Sequence, residues 1–173
     1  MDDQIYDQLA EALNRLPNGF PRTPSNVEIR ILKKIFSLEE ATIARQLTGS
    51  EETVESIAKR VGLSVKEAEE KLIKMARRSL LWYSDEKGRP TFRLAPFVVG
   101  IYEAQLETMD HELAHLVEEY FTNGGAVGIM KPQPALHRVI PAQKALKSEL
   151  ILPYDDVKSI LMNSKSFGLQ DCV

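Results

Sequence analysis

The chain has 173 residues, 43% of them hydrophobic and 27% charged, a globular composition that excludes the disordered, collagen-like and disulfide-stapled classes. Its formal net charge of −3 gives no global attraction to polyanions, so a nucleic-acid function would have to rest on a local basic surface. No apolar run approaches the roughly 18 residues of a membrane span, the start Met1-Asp2-Asp3-Gln4 lacks a secretion signal, and the one cysteine, Cys172, cannot form an internal disulfide; together these predict a cytoplasmic protein without a membrane partner.

In chain order, Ile5, Leu9, Ala12, Leu13 and Leu16 are spaced three and four apart, which predicts an amphipathic helix that stops at Leu16-Pro17-Asn18-Gly19. Two prolines and a glycine in Gly19-Phe20-Pro21-Arg22-Thr23-Pro24 read as a linker, so residues 1–24 are expected to stand as a helix and linker. Val27, Ile31, Leu32 and Ile35 mark the next helix, with Ser25 or Asn26 as its N-cap. Ser37 and Glu40 have capping-box spacing, in which hydroxyl and carboxylate each satisfy the other residue's amide, and they open a short helix ending near Gly49.

The most informative stretch follows. Thr53 to Arg60 reads as a short helix, Gly62 supplies the positive φ that closes it, Leu63 plugs the angle, and Ser64 with Glu67 is a second capping box. The next helix, from Val65, is expected to bury Val65, Ala68, Leu72, Met75, Ala76 and Leu80 and to turn Glu67, Glu70, Lys71, Lys74 and Arg78 outward. Leu81-Trp82-Tyr83 and Thr91-Phe92-Arg93-Leu94 are β-prone runs flanking a turn, hence a hairpin. Helices, tight turn and hairpin in this order resemble a winged helix-turn-helix domain over residues 25–96. The expected fold class is therefore mainly α, with a small β-hairpin wing, a flanking N-terminal helix, and a long C-terminal amphipathic helix plus extended tail.

Between Glu51 and Ala95 there are ten basic and eight acidic residues, a local excess in the direction that phosphate contacts require. Lys66, Lys71, Lys74, Arg77, Arg78, Lys87 and Arg89 are the candidate nucleic-acid contacts, on the second helix of the pair and on the wing. Glu67, Glu69 and Glu70 oppose that reading, because they stand where a recognition helix meets base edges. An ordinary solvated face, with Glu67–Lys71 and Glu70–Lys74 as helical ion pairs, explains the same charges, and the module could instead dock a protein.

Residues 97–123 read as one long helix, in which Tyr102, Leu106, Met109, Leu113, Leu116 and Tyr120 form a heptad seam. That seam is a candidate homodimer interface, or it packs back on its own domain. Within it, His111-Glu112-Leu113-Ala114-His115 fits the H-E-x-x-H zinc-protease pattern. Leu113 lies on the seam, so His111 and His115 are expected to face solvent, and the other histidine, His137, lies beyond the Gly124-Gly125 break. The segment is therefore expected to be a polar helix face, the enzyme expectation is negative, and a zinc hydrolase stays the remote alternative.

Beyond Gly125 the chain is expected to run as an extended segment, 124–173, with one short helix from Pro153 to about Asn163. The strings "HRVIPA" from His137, "LILPYDDVKSIL" from Leu150 and the closing "LQDCV" resemble the segment that joins an N-terminal winged helix to the cysteine-rich part of bacterial and archaeal 4Fe-4S ferredoxin-type proteins. The resemblance implies that Cys172 opens a run of cluster-ligating cysteines in a reading frame continuing past Val173, that 4Fe-4S clusters belong to the full-length protein, and that this chain holds none alone. It also implies a regulatory or electron-transfer setting, with DNA, a protein partner or the chain's own iron–sulfur domain as the module's partner.

Overall fold

The computed structural model describes residues 2–85, 88–130 and 154–166. Contacts divide the chain into a body, Met1–Leu136, and a second unit, His137–Val173. The described residues are mainly helical with one small antiparallel sheet, and no described helix is long and apolar enough to cross a membrane.

Helix α1 (Asp2–Asn14) buries Tyr6, Leu9, Ala10, Ala12 and Leu13 along one stripe and packs on α2 (Val27–Ile35) and α3 (Leu38–Ala44). It belongs to the core rather than standing apart from it. The stretch expected as a linker is packed too: Phe20 is fully buried, with its ring centroid 4.4 Å from that of Phe97 and 5.1 Å from that of Tyr120. Its prolines exclude regular structure but not burial. Glu28, wholly buried in the first turn of α2, holds this stretch in place by accepting from the Thr23 hydroxyl at 2.6 Å and pairing with Arg22 Nε at 3.1 Å. Asn26 precedes α2 in the left-handed region (φ 53) and makes no side-chain cap, so the expected N-cap bond is not formed; its side-chain oxygen accepts from Arg22 instead.

The Ser37–Glu40 capping box is complete at the start of α3, with bonds of 2.9 and 3.2 Å. Strand β1 (Glu52–Thr53), too short to show any periodicity in the sequence, leads into α4 (Val54–Val61) and α5 (Val65–Arg77). Strands β2 (Leu81–Asp85) and β3 (Pro90–Leu94) form the expected hairpin, with Leu81 opposite Leu94 and Tyr83 opposite Phe92. β1 pairs with the far edge of β3, so the sheet order is β1-β3-β2. Leu81, Phe92 and Leu94 are buried on the inner face of this sheet.

Residues 97–123 are not one helix. Val98 is extended (φ −107, ψ 139), Glu103–Thr108 is a 3-10 turn, and Met109 is extended again before α6 (His111–Tyr120) begins. Asp110 is the local reason, since its carboxylate accepts from the Leu113 amide at 2.8 Å and starts a new helix there. A turn at Gly124, whose φ of 106 favours glycine, then separates α6 from α7 (Ala126–Met130). The predicted dimer seam is divided accordingly. Leu113, Leu116 and Tyr120 are buried in their own chain, on the helix that packs against α2, while Tyr102, Leu106 and Met109 are half-buried on the irregular stretch before it. A second copy would have no access to the buried three.

In the second unit, α8 (Tyr154–Asn163) matches the expected short helix, with Ile160, Leu161 and Met162 exposed. His137, Cys172 and the extended segments around them lie outside the described residues.

Candidate nucleic-acid interface

The pair α4–α5 is positioned by local chemistry legible in the sequence. Thr53 caps α4, its hydroxyl accepting from the Ser56 amide, and Gly62 closes the helix at φ 74, a conformation that costs a residue without a Cβ little. Leu63 is half-buried against the core in the turn, and Ser64 with Glu67 completes a capping box on α5. Ala68, Leu72 and Met75 fix the inner face of α5, and Leu80 is buried just beyond it. Val65, expected inside, is 46% exposed, because at the first position of the helix it stands ahead of the stripe.

That orientation sorts the charged side chains into two groups. The first is committed within the chain. Lys71 Nζ lies 2.5 Å from Glu39 of α3, which raises the lysine pKa, chiefly through that hydrogen bond. Arg78 pairs with Glu40 and donates to the Ile35 carbonyl at 2.6 Å, satisfying the C-terminal end of α2. Burial alone would raise the Glu40 pKa, but Arg78 and the Ser37 amide outweigh it and hold the carboxyl below its ordinary value. Glu67 turns back on its cap, accepting from the Ser64 amide at 3.1 Å and hydroxyl at 2.6 Å, and those bonds lower its pKa. The helical pairs Glu67–Lys71 and Glu70–Lys74 expected from spacing are not formed; nearer partners on α3 and at the cap take Lys71 and Glu67.

The second group is free. Lys66, Lys74 and Arg77 on α5 and Arg89 after the hairpin turn are exposed, and none has an ion-pair partner among the described residues. Lys87 lies outside the described residues. Of the seven candidate contacts, Lys66, Lys74, Arg77 and Arg89 are thus exposed and unpaired among the described residues, whereas Lys71 and Arg78 are engaged by α3 and the end of α2. Ile73, Ala76, Arg77 and Tyr83 line a cleft of about 310 Å³ between α5 and the sheet.

Two features of this surface escaped the sequence reading. On the outer face of the sheet the Arg93 guanidinium lies 4.4 Å from the Trp82 ring centroid, the two residues being register partners. Strand pairing creates that contact, so only a correct register could have revealed it. Lys59, exposed on α4, is a further cation without an ion-pair partner among the described residues.

On α6, His111 and His115 are both exposed, as the burial of Leu113 requires. Glu112, the residue an H-E-x-x-H hydrolase would use as its base, is bound by Lys34 at 2.5 Å. Among the described residues no group of three or more His, Cys, Asp or Glu side chains could hold a metal ion. Comparison with known proteins found no family model that matches the chain, and no curated protein or solved structure similar to it.

Proposed function

We propose that residues 25–96 act as a winged helix-turn-helix module that binds duplex DNA through the outer face of α5 and the β2–β3 wing, without catalytic activity of its own. One observation carries the reading: Lys71 and Arg78 are paired with α3, whereas Lys66, Lys74 and Arg77 are exposed and have no ion-pair partner among the described residues. Unpaired Lys and Arg on a convex helix face are what phosphate contact uses, because neutralising phosphates releases counterions. The β1-β3-β2 sheet supports the same reading by presenting its hairpin directly after α5. With Arg89 and Lys87 added, about four or five phosphates would be neutralised, so the logarithm of affinity should fall with the logarithm of salt with a slope of about −4. A fluorescent random duplex titrated at several salt concentrations tests this. Affinity no tighter than roughly 10⁻⁴ M at physiological salt would end the DNA reading.

A second reading is protein docking. It is favoured by a groove of about 480 Å³ lined by Leu38, Thr42, Ile43, Val61 and Leu63, with Leu38 at 40% exposure. In that case the duplex titration stays flat.

The wider setting we propose is the one implied by the resemblance of the segment from His137 to Cys172: a module serving a 4Fe-4S ferredoxin-type protein. Such a cluster is held by a Cys₄ set, and this sequence contains one cysteine, so its residues do not fit the group by themselves. The cluster would have to belong to further sequence or to a partner.

A further inference from the structure

Three carboxylates near the start of α5 are an obstacle to groove entry, since each repels phosphate and an acceptor-only group suits few base edges. The structure gives the three different environments. Glu67 is occupied by the Ser64 amide and hydroxyl. Glu69 is half-buried and so less available to a groove. Glu70 alone is exposed without an ion-pair or side-chain hydrogen-bond partner among the described residues, although Lys66 and Lys74 stand one helical turn before and after it. The result is a single outward row, Lys66-Glu70-Lys74, in which a free carboxylate is flanked by two free cations.

We propose that Glu70 is the base-reading residue of α5, accepting a hydrogen bond from the N4 amino group of cytosine in the major groove. The inference rests on the DNA reading above. The flanking lysines make it physically consistent, because their attraction to the two neighbouring phosphates offsets the repulsion that a lone carboxylate would meet. Glu70 faces solvent, so its substitution leaves the core untouched.

Selection of bound duplexes from a randomised library, with wild type, Glu70→Gln and Glu70→Ala, tests the assignment. Wild type should enrich cytosine at one position by about tenfold. Glu70→Gln should shift that position toward adenine, because a carboxamide both donates and accepts and so matches adenine N6 and N7. Glu70→Ala should lose preference at that position alone, while the salt slope, set by the lysines and arginines, stays within about one unit of wild type. If duplexes are selected but cytosine is not enriched, or its enrichment survives in Glu70→Ala, the assignment is overturned and the DNA reading stands. If no variant retains any duplex at low salt, both fall.

Discussion

Glu28 is a fully buried carboxylate, compensated among the described residues by Arg22 and Thr23. Its loss would leave the Thr23 amide and hydroxyl without their acceptor and release the stretch that carries Phe20 into the aromatic cluster. Glu28→Ala should therefore destabilise by about 3 kcal/mol, read as a lower urea midpoint. Ser79 offers the opposite change. It is a non-glycine residue in the left-handed region (φ 55) between α5 and β2, so Ser79→Gly should stabilise by about 0.5 kcal/mol, the relieved strain exceeding the added freedom of the unfolded chain. A decrease in thermal midpoint would show that the serine side chain contributes something the backbone does not. Neither position draws notice in the sequence, because one carboxylate in a first turn reads as a solvated charge and one serine after a helix reads as a turn.

Element by element, the contacts between helices set the sensitivities. Because the folded pKa of Glu40 lies below its ordinary 4.5, the Arg78–Glu40 fastening of α5 to α3 is fully present above about pH 4.5 and is lost as pH falls through the depressed value. Glu40→Gln should then flatten the acid limb of stability, measured as urea midpoint against pH between the two pKa values. An unchanged limb would remove Glu40 from the acid response. For α6, the burial of Leu113 predicts that Leu113→Ala costs about 2–4 kcal/mol of folding stability, whereas Leu106→Ala, on the half-buried 3-10 turn, costs under about 1 kcal/mol. A homodimer seam would instead give the two substitutions similar effects on self-association, which sedimentation distinguishes. The capping boxes, Gly62 and the hairpin were legible because each depends on neighbours within a few residues. The interruption of 97–123 was not, since its apolar spacing continues through the break and only Asp110, poised as a cap, hinted at a restart.

For the whole molecule, dividing the cations into paired and unpaired sets separates stability from binding. Arg78→Ala should lower stability by about 1–2 kcal/mol by removing the Glu40 contact and the bond to the Ile35 carbonyl, and should leave the salt slope of duplex binding nearly unchanged. Lys74→Ala with Arg77→Ala should do the reverse, keeping the thermal midpoint and reducing the slope by about two. Equal loss of slope in both would show that pairing with α3 does not withhold Arg78 from phosphate. By itself the sequence determined the starts of α3, α4 and α5, the αL turn at Gly62, the hairpin and the inward stripe of α5, because these are set by chemistry within a turn or two of each residue. Tertiary structure alone decided that α1 and the proline-rich stretch join the core, that the seam of α6 faces α2, and which cations remain free. Each of those outcomes depends on partners tens of residues away, such as Arg78 with Glu40 or Phe20 with Tyr120, and no local spacing encodes them.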